Sequence, residues 1–439
     1  MNNKQSKHTM TLLAKNTLVP KLRFSEFKLS EAWIMKPLGS IGQTLNGLSG
    51  KSGNDFGQGK PFITYKQVFD RAYIDLSKCE LVKIGESENQ NVIKYGDILF
   101  TTSSETPDEV GYASVLLNKP LKPVYMNSFC FSLRPNSLNE LVPEFSRYLF
   151  HSPIYRKLVS VLAQGSTRFN ISKTAFLKLA LPIPQEEEQR KIAEFLASLD
   201  DIIDSEDRKL ATLKDHKKGL MQQLFPSQDE DIPRSRFPEF QAAEHWEEKT
   251  LGELADRRTQ KNLKGQYSRV LTNSAEFGVI DQRDFFDKNI ANQKNLSEYF
   301  IVEKGDYVYN PRISSAAPVG PISRNNVDTG IMSPLYTIFR FKNRRNDFFA
   351  YYFKTTGWHR YMRQTSSTGA RHDRMAITNG DFLAMPLPVT DPKEQQKIAD
   401  CLTSLDSLIC LQADKVAILI KYKTGLMQKV FPAPEGVRE

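Results

Sequence analysis

The chain has 439 residues, with 60 Lys/Arg against 51 Asp/Glu and a formal net charge of +9. That length allows two or three domains with cores of their own, and the 40% apolar and 25% charged fractions are those of an ordinary globular protein rather than a disordered or membrane-embedded one. Cys79, Cys130, Cys401 and Cys410 have no CxxC spacing and the six histidines no HExxH pattern, which argues against a disulfide framework or a zinc site and fits a reducing cytoplasm.

Residues 1–18 are polar, lack the core of a signal peptide and read as a leader. The opening that follows, Val19-Pro-Lys-Leu-Arg-Phe-Ser-Glu-Phe27, returns as Ile232-Pro-Arg-Ser-Arg-Phe-Pro-Glu-Phe240. Each copy continues to a Trp (Trp33, Trp246) and a Leu-Gly pair (Leu38-Gly39, Leu251-Gly252), at a constant shift of 213. Residues 19–184 and 232–390 then read as two globular segments of mixed strand and loop. Residues 92–100 and 299–309 are strands interrupted by a Gly-Asp turn. Each runs into a polar loop, residues 101–111 and 310–320, whose frame matches while its contents differ. Short aromatic helical segments come next, residues 145–150 and 348–353, and then Gly-containing polar loops at 164–170 and 368–374.

Each globular segment ends in a rod, residues 185–226 and 391–432. Counted without a gap from Arg168 and Arg374, 26 of 59 positions are identical; such a repeat fixes the architecture. Glu186, Glu187 and Glu188 fill the first turn of the first rod, where carboxylates suit the helix dipole. Ile192, Leu196, Leu199, Ile203, Leu210, Leu213, Leu220 and Leu224 form a heptad-like stripe that recurs from Ile398 to Val430. Such a stripe belongs to a helix–helix seam. Its rhythm breaks at the same places in both copies, Glu206/Gln412 and Lys217/Lys423. Gly219 and Gly425 recur inside both rods, which suggests a kink or a close backbone contact. Because each rod follows a globular segment, an antiparallel pair is expected. Residues 227–231 are the linker between halves and 433–439 a tail. The fold class is therefore mixed α/β: two globular domains on two long antiparallel helices forming a coiled coil, with a pseudo-twofold repeat.

The rods are neutral together, seven Lys/Arg against nine Asp/Glu in residues 187–226 and six against four in 393–432. The basic excess lies in the globular parts, which points to a polyanion, nucleic acid first. On the paired openings, the stretch Gly-Asp-Ile-Leu-Phe-Thr-Thr-Ser-Ser-Glu-Thr from Gly96 to Thr106, the stretch Tyr-Asn-Pro-Arg-Ile-Ser-Ser-Ala-Ala-Pro-Val-Gly-Pro from Tyr309 to Pro321, the Gln164-Gly-Ser-Thr-Arg-Phe-Asn170 loop and the two Gly-Leu-Met-Gln rods, the chain resembles the specificity subunits of type I restriction–modification systems. The resemblance implies two target-recognition domains, each reading one part of a split double-stranded DNA sequence. It implies one copy per complex, with two methyltransferase subunits docked on the helices and two restriction/motor subunits. S-adenosylmethionine, and ATP and Mg for restriction, are expected on those partners and no cofactor on this chain.

Direct readout needs Arg, Lys, Asn, Gln or Ser on loops within groove reach. Ser103, Ser104, Arg168, Asn170 and Lys173 are the candidates in the first half, and Asn310, Arg312, Ser315, Arg371 and Arg374 in the second. Lys66 and Arg324 are expected phosphate contacts. The interruptions Glu206, Lys217, Gln412 and Lys423 are expected to face outward and take the methyltransferase subunits. No catalytic set is found: there is no Asn/Asp-Pro-Pro-aromatic motif, and Glu247-Glu-Lys249, which has the Glu-x-Lys form of some nuclease sites, lies where the first copy has Ile34-Met-Lys36. A stand-alone DNA-binding regulator and a coiled-coil assembly scaffold are the alternatives.

Overall fold

A computed structural model of the chain describes residues 18–227, 230, 232–285, 293–368 and 373–432. Two helices of 39 residues stand out, α1 (Glu186–Leu224) and α2 (Pro392–Val430), each roughly 58 Å long at 1.5 Å per residue. The chain divides into two compact units, residues 1–207 with 414–439, and residues 208–413. The division falls inside both long helices, so each unit holds a piece of α1 and a piece of α2.

The first unit is built on a four-stranded antiparallel sheet of β1 (Gly42–Asn46), β2 (Ile98–Thr101), β3 (Ala113–Val115) and β4 (Cys130–Pro135), in the order β1-β4-β2-β3. The Gly-Asp turn before β2 has a structural reason. Gly96 has φ +85°, a backbone state open to glycine, and the buried Asp97 accepts two hydrogen bonds from Arg134 of β4, from Nε at 2.8 Å and Nη2 at 2.6 Å. One face of the sheet packs against Phe145, Phe150, Tyr155 and Phe176, and the same core takes in Ile192 and Leu196 of α1 and Val430 and Phe431 at the end of α2. The Trp33 ring meets Phe145 and Phe431 edge-on.

The second unit repeats this plan. Its sheet holds β5 (Ala255–Arg258), β6 (Tyr307–Tyr309), β7 (Ile322–Arg324) and β8 (Thr337–Phe341), in the order β5-β8-β6-β7. Asp306 before β6 is buried and bonded to Arg340 of β8, as Asp97 is to Arg134. Leu224 and Phe225 from the end of α1 and Ile398 and Leu402 of α2 join its core. The strand carrying Glu247 and Lys249 pairs with Pro386–Val389, as its counterpart Ile34–Pro37 pairs with Ala180–Ile183.

Antiparallel pairing of the helices is visible inside each unit. In the first, Lys423 bonds Asp200 and Lys415 bonds Glu206 at 2.6 Å; in the second, Lys217 bonds Asp406. The residue numbers fall on one helix as they rise on the other. Each Asp also accepts from a tyrosine of its own unit, Tyr148 on Asp200 at 2.8 Å and Tyr351 on Asp406 at 2.9 Å. A second repeated contact ties the opening to the first turn of a helix: Arg23 forks onto Glu188, and Arg236 onto Glu394, all four side chains 10% exposed or less. The expected close backbone contact at Gly219 and Gly425 is not found among the described residues. Both helices run unbroken through these glycines, and a Cβ on either would meet nothing within 4 Å.

Candidate nucleic-acid interface

In both units the loop after the Gly-Asp strand is laid edge to edge with the polar loop that follows the aromatic helices. In the first unit Ser103–Ser104 pairs with Phe169–Asn170, and Ile171 N–H donates to the Thr102 carbonyl at 3.0 Å. In the second, Arg312 bridges to Arg374, Met375 N–H donates to the Pro311 carbonyl at 2.9 Å and Ile313 N–H to Asp373 at 3.0 Å. Two loops over 60 residues apart in sequence thus form one platform per unit.

On the first platform, residues 164–170 close a tight hairpin through paired bonds between Gln164 and Asn170. Gly165 at its corner has φ +136°, and a Cβ there would sit 2.1 Å from the Arg168 carbonyl. The hairpin presents Arg168, whose guanidinium lies 5.6 Å from the centre of the Phe129 ring, and that ring is 53% exposed. An exposed cation over an exposed ring suits a nucleic-acid partner, since both groups can stack on bases. Asn170 is exposed beside it. Lys173 is half-buried, bonded to Asn46 and close to Phe131, and its burial lowers the ammonium pKa. Lys66 is exposed on a short helix, Tyr65–Asp70. Ser103 and Ser104 require a correction. Both are buried, with Ser104 Oγ donating to Glu109 at 2.9 Å, so they shape the platform instead of reaching into a groove. The pairing with Phe169 and Asn170 turns them in.

On the second platform, Asn310 braces the loop: its Nδ2 donates to the Asn273 carbonyl at 2.8 Å and its Oδ1 accepts from Arg312 N–H at 3.0 Å. Arg312 and Ser315 are exposed. Arg312 and Arg374 share one carboxylate, Asp373, at 3.8 and 3.9 Å. Arg324 is committed to Asp347 and only 23% exposed, so as a phosphate contact it would first have to leave that partner. Arg371 lies outside the described residues. Sequence reasoning missed the neighbours of Asn310. A hollow of about 410 Å³ beside it is lined by Thr272, Asn273, Gln282, Arg312 and Tyr336, and Asn273 Oδ1 is buried there without a hydrogen-bond partner among the described residues. The signal was available: Leu271–Ser274 and Gly278–Asp281 form a hairpin, with Gln282 immediately after it.

The family model described as type I restriction modification DNA specificity domain matches residues 30–215 and 243–420. The chain belongs to this family. It is 25% identical over 422 residues to the putative type I restriction enzyme MjaX specificity subunit of Methanocaldococcus jannaschii, a match covering 91% of this chain and 93% of that one. It is 29% identical over 186 residues to the EcoKI specificity subunit of Escherichia coli strain K12, covering 40% and 38%. Among solved structures, a chain from work on complex assembly and conformational transition of the type I R-M system superposes with a TM-score of 0.57 at 19% identity, covering 92% of this chain and 98% of that one. The S subunit from M. genitalium gives 0.50 at 15%, covering 95% and 100%. At these identities the structural likeness speaks for the fold. The chain is thus a type I restriction–modification specificity subunit with two DNA-recognition domains, in a family of specificity rather than catalytic subunits. No helix among its described residues is long and apolar enough to cross a membrane.

The specificity subunit does not turn the stripe interruptions outward, which corrects their expected exposure. Glu206 is engaged by Lys415, Lys217 by Asp406 and Lys423 by Asp200, while Gln412 is 7% exposed. A polar residue breaks an apolar rhythm without leaving the seam when an opposite charge faces it. Most of the exposed large apolar side chains of the two helices lie on α2: Leu408 and Leu411 in the second unit and Ile418, Ile420 and Tyr422 in the first, each at least half exposed, with Ile202 on α1 at 46%.

Proposed function

We propose that this specificity subunit reads a bipartite, asymmetric double-stranded DNA target and directs adenine methylation, and cleavage where a nuclease is present, by partner subunits. What carries the reading is one observation: both units share a framework down to the Asp97–Arg134 and Asp306–Arg340 bonds, yet their platforms differ. Arg168 on Phe129 with Asn170 stands in one, and Arg312, Arg374 and Asp373 with Gln282 nearby in the other. Like frameworks with unlike readers suit two unlike half-sites, because base choice rests on side-chain donors and acceptors in the groove. One copy of the chain would serve two methyltransferase and two restriction subunits. S-adenosylmethionine, ATP and Mg belong on those partners. With the seam residues occupied, docking falls to the exposed apolar positions of α2 and the open surface at Gly219 and Gly425.

The test is adenine methylation mapping across the genome with and without the gene. A single motif of two unlike half-sites around a fixed unread gap should disappear on deletion. An unchanged methylation map, with the purified chain binding its site tightly alone, would favour a regulator instead.

A further inference from the structure

The second unit contains a hollow of about 690 Å³ lined by Lys214, Lys217, Lys218, Arg234 and Lys354, over a floor that includes Met221 and Phe225, with no acidic residue among the described residues of the lining. The internal repeat provides a control for it. In the first unit the framework positions are kept: Met427 and Phe431 stand for Met221 and Phe225, Lys423 for Lys217 and Lys21 for Arg234. The other three cations are not kept. Ile420 stands for Lys214, Thr424 for Lys218 and His151 for Lys354. The fold therefore does not require those lysines, and the first unit packs the same corner without them.

Among the described residues, carboxylates pair with two of the five cations, Lys217 and Arg234. Lys217 and Lys354 both lie 5.2 Å from the centre of one ring, Tyr351. One carboxylate, Asp406, already accepts from Lys217 and from the Tyr351 hydroxyl. Arg234 has Glu230 at 3.3 Å, on the exposed side. Desolvation, and then repulsion from Lys217, push the Lys354 ammonium below its ordinary pKa; an incoming anion would relieve the second of these. The His151 counterpart is instead half-buried and bonded to the Ala113 carbonyl at 2.7 Å.

We propose that this hollow is a binding site for vicinal phosphate groups, present in the second unit only. Four of its five cations are lysines, compact point charges on flexible stems that can converge on the oxygens of a phosphate without the oriented fork of arginine. Two sources share this chemistry, a DNA backbone and a free polyphosphate.

Calorimetric titration of the full chain with sodium tripolyphosphate, at fixed low ionic strength, tests it. Binding at one equivalent is expected, weakened at least tenfold in K214I/K218T, which installs the residues the first unit already tolerates. A separate K354M variant should weaken it as well. Binding unchanged by both variants, or at two equivalents, overturns the assignment. Citrate binding as tightly as tripolyphosphate through the same lysines also overturns it, in favour of an acidic peptide. Competition by a duplex lacking the target sequence, lost with the same lysines, would identify the DNA backbone as the source; tripolyphosphate binding without such competition would identify a free polyphosphate.

Discussion

Replacing Arg236 by Met should destabilise the second unit by about 3–5 kcal/mol, the usual cost of leaving one partner of a buried ion pair alone. Arg236 gives Glu394 two hydrogen bonds, from Nε at 2.8 Å and Nη2 at 2.6 Å, and two more to the Ala243 and Glu244 carbonyls at 3.0 and 3.2 Å. The Glu394 side chain is 1% exposed, so water cannot replace the guanidinium; among the described residues only the Thr390 hydroxyl remains as a donor. For a unit of about 200 residues, each kcal/mol lowers Tm by about 2–4 °C, giving a fall of roughly 6–20 °C. Scanning calorimetry of the full chain should show this in one transition while the other, containing the equivalent Arg23–Glu188 pair, holds its place. The double variant R236M/E394M should recover most of the loss, because well-packed apolar pairs substitute for buried ion pairs at little cost. A double variant as unstable as the single one, or a single loss under about 1 kcal/mol, would refute the argument that uncompensated burial of Glu394 sets the cost.

Arg312→Ala should relax or abolish recognition of one half-site only, read by methylation mapping; uniformly weaker binding to every sequence would make it a phosphate contact. Gly320→Ala should disturb the same half-site, since Gly320 has φ +80° and a Cβ would sit 2.1 Å from the Asn310 carbonyl; strain of about 1–3 kcal/mol is expected, visible as a lowered Tm. Burial lowers the His151 pKa to about 4, while an unfolded histidine titrates near 6.5. The unfolded chain therefore takes up the proton first as pH falls, and the first unit should lose about 3 kcal/mol between those two values. Chemical denaturation across that range should show a slope that His151→Gln removes. Matched four-residue insertions in α1 and α2 should lengthen the unread gap by roughly two base pairs, at 1.5 Å per residue and 3.4 Å per base pair, and leave both half-sites unchanged; a changed half-site with the old gap would contradict it.

The long helices, their antiparallel pairing and the two-domain order were legible because a repeat with conserved spacing shows what the fold preserves. The expected rods of residues 185–226 and 391–432 overlap the helices Glu186–Leu224 and Pro392–Val430. The platforms were legible as loops but not as pairs of loops, since nothing local says that Ser103 meets Asn170. The buried serines follow from that: polarity suggested exposure, and a cross-loop ladder decided otherwise. Lys217 and Lys423 misled for a related reason. Their partners Asp406 and Asp200 lie on the other helix, and only the antiparallel register reveals them. The ion pairs Arg23–Glu188 and Arg236–Glu394 could have been found, because all four residues occupy repeated positions.

The two units differ in how their chain is assembled. The second is one continuous stretch, and by the time Trp246 leaves the ribosome Phe225 is already made. The first waits: its Trp33 and Phe145 rings pack on Phe431, nearly 400 residues later than Trp33. The Leu22 N–H likewise bonds the Lys429 carbonyl, where its counterpart Ser235 bonds nearby Gln223. The domain synthesised first is therefore the one completed last. Trimming residues 414–439 would leave its apolar core open while sparing the domain that precedes the cut.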